Sequence, residues 1–229
     1  MRILITGGSS FSGAFFVRQL AGAGHEVWTT FRSPIEDYEG IRGQRARMAA
    51  QNSTAVQAGF GDDDFLRLLK EQSFDAYCHH GAWTKDYRSM DYAFHDAFLN
   101  NTRNIQEATA LLAKRGCRKV VVSASIFEGE VGLASSKEIP FSPHGLVKLF
   151  TSKTMEFYGN QAGMHVSRFV IPNPFGPLDN PKLIDYLCRE WYAGREPQIR
   201  TPLFVRDNIH VDLLAHAFVH WVEKMPSEL

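Results

Sequence analysis

Residues Arg2-Ile3-Leu4-Ile5-Thr6-Gly7-Gly8-Ser9-Ser10-Phe11-Ser12-Gly13 decide the fold. The first five form a short apolar run that stops at two glycines, the pattern of a buried parallel strand. From Phe11 to Ala23 the period changes, with Phe15, Val17 and Leu20 at helical spacing. Between them lies a glycine loop. Glycines let the backbone turn tightly and let a ligand approach the main chain. A helix N-terminus adds unpaired N–H groups and a positive dipole end. Strand, glycine loop and helix in this order suit a pyrophosphate, and an ordinary glycine-rich turn is the plainer alternative.

Working outward, strands and helices alternate. His25–Phe31 is β-rich and reads as a second strand. Residues 32–53 are polar and irregular and carry no clear signal. Thr54–Ala58 reads as a weak third strand, and Asp62 to Asp64 can cap a helix containing Phe65, Leu66, Leu68 and Leu69. Asp75–His79 is a fourth strand. Met90–Arg115 reads as one long helix, Lys119–Ser123 as the strongest strand, His144–Gly159 as a helix and His165–Ile171 as a further strand. This alternation predicts an α/β doubly wound parallel sheet of the Rossmann type, with right-handed crossovers. After residue 172 the prolines Pro172, Pro174, Pro177 and Pro181 break the pattern. The expected division is therefore 1–171 for a dinucleotide-binding domain and 172–229 for a small substrate-binding lobe that is not independent. Phe15, Phe65, Phe94 and Phe98 read as core.

Composition narrows the function. Of 229 residues, 44% are apolar, enough for a core. Lys plus Arg and Asp plus Glu are both 25, so the net charge is zero and there is no global field for a polyanion. Neither nucleic acid nor a membrane is expected as a partner. Three separated cysteines, Cys78, Cys117 and Cys188, form neither a CxxC pair nor a disulfide framework, which points to a reducing, cytoplasmic setting. The chain enters its first strand directly, without a cleavable signal. No apolar run reaches the roughly 18 residues needed to span a bilayer.

Several segments together resemble the extended short-chain dehydrogenase/reductase family, in particular its NAD(P)-dependent sugar-nucleotide epimerases and dehydratases. The loop Thr6–Gly13 resembles TGxxGxxG with Ser10 at the middle glycine, where a serine hydroxyl could donate to phosphate. The resemblance makes Gly7, Gly8, Ser9, Ser10, Phe11 and Gly13 cofactor-binding residues. His80-Gly81-Ala82 is similar to the step beside the cofactor at the end of the fourth strand. Thr102 and Asn104 partly match the family's NVxGTxN helix, for which core packing is the plainer reading. Asn173-Pro174-Phe175-Gly176 and Arg206-Asp207-Asn208-Ile209-His210-Val211-Asp212 are similar to the substrate-side segments NPxG and RDFIHVDD. Asn173, Arg206 and Ser125 are thereby implied as substrate-binding. For that family 229 residues is short, which raises the expectation of a truncated C-terminus, and a homodimer through the helices at 90–115 and 144–159 is implied.

The second strand ends in Thr30-Phe31-Arg32-Ser33, without the acid that binds a ribose 2′-hydroxyl. Arg32 can face a 2′-phosphate, which favours NADP over NAD, or it is a solvated loop residue. Gly59 occupies the place of the family's adenine-contacting acid.

By resemblance, catalysis belongs to Ser123, His144 and Lys148. Ser123 falls in the catalytic Ser/Thr place. Ala124 and Ser125 replace the Asp-Glu of the 4,6-dehydratases, so epimerase or ketoreductase chemistry is expected by hydride transfer. His144-Gly145-Leu146-Val147-Lys148 keeps the lysine of YxxxK and replaces its tyrosine by histidine. Three readings stay open: His144 is the acid and base; the chain binds cofactor as a weakly active regulator or scaffold; or another group does the chemistry. Asp212, His216 and His220 recur at i, i+4 spacing, but the HExxH glutamate and any nearby cysteine are missing, so no metal site is expected.

Overall fold

The computed structural model describes residues 1–129, 140, 142–203 and 205–225. Its core is a six-stranded, wholly parallel sheet in the order β3-β2-β1-β4-β5-β6. The strands are β1 (Arg2–Thr6), β2 (Glu26–Phe31), β3 (Thr54–Gln57), β4 (Ala76–His79), β5 (Lys119–Ser125) and β6 (His165–Ile171). This is the doubly wound order, in which chain direction along the sheet reverses between β1 and β4 and opens a crevice at their C-terminal ends.

The helices divide between the two faces by their apolar stripes. On one face α1 (Phe11–Gly22) and α2 (Gly40–Gln51) pack with α8 (Val211–Lys224), in a cluster containing Ile3, Ile5, Phe16, Ala46, Ala49 and Phe218. Phe16 stacks on Phe218 at 4.0 Å. On the other face α3 (Asp63–Glu71), α5 (Ile105–Lys114) and α6 (Pro143–Gln161) cover Leu4, Tyr77, Val120 and Val122. Asp62 caps α3 by accepting the Phe65 N–H at 2.8 Å. The segment after residue 172 divides in space. A separate two-stranded parallel sheet, β7 (Asn173–Phe175) with β8 (Asn208–His210), and α7 (Leu183–Tyr192) lie outside the main sheet, whereas α8 returns to α1. Residues 226–229 of that segment lie outside the described residues.

Two expectations change. The single helix over 90–115 is two helices, α4 (Phe94–Thr102) and α5, broken at Arg103 and Asn104. Asn104 adopts a left-handed conformation and its Nδ2 donates to the Gly61 carbonyl at 2.8 Å. Gly61 permits this approach: a Cβ there would lie 1.8 Å from the Arg103 carbonyl oxygen. Apolar spacing continues across the break, so only the tertiary contact reveals it. Second, the unassigned stretch 32–53 contains a 3₁₀ turn (Ile35–Asp37) and all of α2. The buried face of α2 is Gly43, Arg45, Ala46 and Ala49, small or charged residues that leave no apolar stripe to read. Phe15 and Phe65 are core, while Phe94 and Phe98 are half-buried, packing on Phe150 and around Tyr92, Ala97 and Val147.

Candidate active site

The glycine loop and the end of β4 meet at the switch point. Thr6 Oγ1 accepts the N–H groups of both His80 (3.1 Å) and Gly81 (2.8 Å), tying the two strand ends together. The packing leaves no space for side chains. A Cβ on Gly7, whose φ is +82°, would lie 2.8 Å from Gly81 Cα. One on Gly13 would lie 2.3 Å from the Gly7 carbonyl oxygen and 2.6 Å from Ser10 Oγ. This bare-backbone cradle at the N-terminus of α1 fits a dinucleotide pyrophosphate. Gly13→Ala is therefore expected to destabilise the protein by about 1–3 kcal/mol through overpacking. It should also weaken NAD(P)H binding at least tenfold, as read by nicotinamide fluorescence. Unchanged binding would show that the loop does not touch the cofactor.

Ser10 does not stand as a free phosphate donor. Its Oγ caps α1, accepting the Gly13 N–H at 3.1 Å, and lies 3.0 Å from His80 Nε2. Ser9 Oγ is held by Arg42, whose Nε and Nη2 donate to it at 3.3 and 3.2 Å. Arg42 also lies over the Tyr38 ring, 4.8 Å from its centroid. Arg32 donates to Asn100 Oδ1 at 3.1 Å, and its Cγ would be 3.6 Å from a Cβ on Gly59. Arg42 was not singled out from sequence because α2 had no visible pattern there.

On the other side of β4, Ser123 and Lys148 come together. Lys148 Nζ donates to the Ser123 carbonyl, and Ser123 Oγ lies 2.7 Å from His80 Nδ1. Lys148 is buried, which lowers its pKa, and nearby Glu128 opposes that shift. Glu128, with no exposed surface, forms an ion pair with Arg168 at 2.6 Å and accepts the Ser125 N–H at 2.7 Å. Ser125 is accordingly occupied as the cap of a short 3₁₀ turn, its Oγ accepting the Phe127 N–H at 3.2 Å.

His144 begins α6 one turn before Lys148 and is buried among the rings of Tyr87, Tyr92 and Phe127. Burial and the Lys148 charge push its pKa down to about 4, so it is neutral at pH 7. Its tautomer follows from its partners. Tyr92 has one hydroxyl hydrogen, donated to the Trp83 carbonyl at 2.8 Å. The Tyr92 oxygen, 3.3 Å from His144 Nδ1, must therefore accept from Nδ1–H. The lone pair is left on Nε2, which has no hydrogen-bond partner among the described residues. A neutral imidazole with a bare Nε2 can take a proton.

The substrate-side residues Asn173 and Arg206 belong to the small β7-β8 sheet and the segment leading into it. Asn173 begins β7 and its Nδ2 donates to Asn208 Oδ1 at 2.8 Å. Arg206 is exposed two residues before β8. Thr102 Oγ1 bonds the Phe98 carbonyl within its own helix. Asn101, which carries no signal in the sequence, is the buried polar residue of that helix, accepting the Trp83 N–H at 2.9 Å. Asp212 pairs with Arg18, and His216 and His220 are exposed. Among the described residues no cluster of three or more His, Cys, Asp or Glu could hold a metal ion.

A parallel sheet with this crevice, a glycine cradle at the switch point and a Ser–Lys pair at the end of β5 define a nicotinamide-dinucleotide enzyme class. Residues 3–228 match the model of the NAD dependent epimerase/dehydratase family, and the chain belongs to that family. It is similar to a bifunctional UDP-glucose 4-epimerase and UDP-xylose 4-epimerase of Pisum sativum, 25% identical over 262 residues, spanning 98% of this chain and 72% of that protein. A second bifunctional enzyme of the same description, from Arabidopsis thaliana, is 26% identical over 260 residues, spanning 99% and 72%. The fold superposes on the Thermotoga maritima UDP-glucose 4-epimerase solved with UDP-glucose, with a TM-score of 0.75 at 21% identity, covering 98% of this chain and 74% of that one. It also superposes on a Bacillus cereus UDP-glucuronic acid 4-epimerase solved with UDP-glucuronic acid and NAD, with a TM-score of 0.69 at 17% identity, covering 100% and 75%.

Proposed function

We propose that this protein is an NAD(P)-dependent epimerase or ketoreductase acting on a nucleotide-activated sugar. The observation that carries this reading is the convergence of Ser123 and Lys148 beside the glycine cradle, with a proton-accepting His144 Nε2 one helical turn away. The nicotinamide, when bound, takes or gives the hydride. Gly7, Gly8, Ser9, Phe11 and Gly13 hold the pyrophosphate, with Ala82 and Gly81 leaving room beside it. Lys148 supplies positive charge near the ribose, and Ser123 bonds the sugar oxygen whose carbon changes oxidation state. His144 takes the proton from that oxygen on oxidation and returns it on reduction. Asn173, Arg206 and Ser125 bind the nucleotide sugar, with a guanidinium suited to its phosphates. His144→Ala should lower kcat by 10² or more, within the range for general acid–base catalysis. Tyr92→Phe, which unfixes the tautomer, should cost about tenfold or more by misplacing the proton. Full activity of His144→Ala would remove the histidine from the chemistry.

The cofactor we infer is NADP(H). β2 ends in Phe31-Arg32-Ser33 without an acid, and Arg32, bonded to Asn100, and Arg42, bonded to Ser9, are the cations offered to a 2′-phosphate. Paired fluorescence titrations test this: NADPH should bind at least tenfold more tightly than NADH, and Arg32→Ala with Arg42→Ala should abolish the difference. Tighter NADH binding would assign NAD, and binding of neither would remove the enzyme reading. The alternative is a weakly active NAD(P)-binding regulator or scaffold, favoured by the histidine at the tyrosine position and its aromatic enclosure. Binding of uridine diphosphate, and turnover of UDP-glucose or UDP-xylose, separates the two. The exposed Leu99 on α4 and Phe150 and Phe157 on α6 support a homodimer through these helices. No described helix is long and apolar enough to cross a membrane. Zero net charge supports neither nucleic acid nor an anionic surface as partner, and a cytoplasmic location accords with the free cysteines.

A further inference from the structure

We propose that His80 is a positioning residue that aims the Ser123 hydroxyl at the substrate, as the middle of a hydrogen-bond chain that starts in the glycine loop at Ser10. The inference rests on the catalytic role of Ser123 proposed above. His80 is buried and touches both sites at once. Its Nδ1 lies 2.7 Å from Ser123 Oγ, and its Nε2 lies 3.0 Å from Ser10 Oγ and 3.3 Å from Ser12 Oγ. Its main-chain N–H is pinned by Thr6, and its ring lies edge-on to Phe16, with centroids 5.0 Å apart. A Cβ on Gly13 would come within 2.9 Å of its Cδ2, so the imidazole is wedged against the cofactor loop.

The direction we assign to the chain runs from the glycine loop toward Ser123. Burial and Lys148 lower the His80 pKa to about 3, so the ring carries one N–H. Ser10 Oγ accepts the Gly13 N–H and, like Ser12 Oγ, has one hydrogen that it can give to Nε2. The ring hydrogen then sits on Nδ1 and is donated to Ser123 Oγ. Ser123 accepts from His80, and its own hydrogen is directed away from the protein partner, toward a sugar oxygen. In the opposite tautomer Ser123 would spend its hydrogen on Nδ1 and have none for substrate. Ser10, the cap of α1, and Ser12, in its first turn, are where hydroxyls converge on Nε2, and thereby have a reason to be serine.

The first test needs no substrate. Two-bond ¹H–¹⁵N NMR on histidine-labelled protein, with His80 assigned by loss of its signal in His80→Leu or in the milder His80→Asn, should show protonated Nδ1 and bare Nε2. Ser10→Ala/Ser12→Ala should shift it toward the Nε2–H form. An Nε2–H tautomer in the unaltered protein, or no response to the serine substitutions, would overturn the proposal. In turnover of UDP-glucose, His80→Leu should lower kcat about 10²-fold while KM for the sugar nucleotide changes less than about twofold. His80→Asn, whose amide can donate from near the Nδ1 position, should recover at least tenfold of that loss. Equal losses in both variants, or a loss confined to KM, would make His80 structural. If the unaltered protein turned over no sugar nucleotide, the function proposed above would fall while the tautomer measurement still decided the chain's direction.

Discussion

Acidification from pH 7.5 to 5 is expected to remove about 6 kcal/mol of stability, an amount comparable with the whole net stability of many domains, roughly 5–15 kcal/mol. The cause is three buried neutral histidines. Burial first, and Lys148 next, lower His79 and His80 to about 3 and His144 to about 4. In the unfolded chain each titrates near ~6.5. Between those values the unfolded state binds protons that the folded state refuses, so stability falls as pH drops. Above about pH 6.5 both states are neutral and this contribution is flat. At pH 5 each histidine is about 1.5 pH units below its unfolded pKa, worth up to about 2 kcal/mol. Most of this window lies above the carboxylate range, so the histidines dominate it. Urea denaturation at pH 7.5, 6 and 5 reads the effect, with an uptake of up to about three protons on unfolding near pH 5. A free energy of unfolding that stayed level across this range would show that these rings are protonated in the folded protein. Tyr77 Oη lies 2.7 Å from His79 Nδ1, and the Asn101 main chain favours the protonated ring, but burial and the Lys148 charge outweigh it.

Glu128→Ala is expected to cost up to about 3–5 kcal/mol, because it removes the fully buried carboxylate paired with the mostly buried Arg168 guanidinium, whose Nε also lies 4.0 Å from Glu156. For a protein of this size that lowers Tm by about 6–20 °C. The carboxylate also holds the turn after β5, through the Ser125 N–H, and Ser152 Oγ lies 3.4 Å from it. Its charge supports the ammonium of Lys148 against burial. Loss of Glu128 should therefore lower the Lys148 pKa further and displace the strand end that carries Ser123. Glu128→Gln, which keeps an acceptor for Ser125, should restore part of the stability but not the charge. Chemical denaturation of both variants measures the difference. Equal stability of Glu128→Ala and the unaltered protein would mean that the pair is solvated and contributes nothing.

Much of this molecule is written in local pattern. The run Arg2–Thr6, the valines of β5 and the capping Asp62 each state their element through period, propensity or hydrogen-bonding side chain, and the parallel sheet follows from their alternation. The glycine loop is legible in the same way, as glycines set between a strand and a helix, while the close approach of Gly7 to Gly81 comes from packing. The pairing of Ser123 with Lys148 was expected from family resemblance, and residues 43 and 25 positions apart in sequence meet there only because β4, β5 and α6 pack together. The sequence by itself determined the Rossmann layout, the glycine loop and the presence of histidine in place of tyrosine at residue 144. Tertiary structure alone decided the break at Asn104, which depends on Gly61, the placement of Arg42 on Ser9, and the return of α8 to α1. It also decided which nitrogen of His144 carries the proton, because its tautomer is set by the Tyr92 hydroxyl that long-range folding brings to the ring and not by any neighbour along the chain.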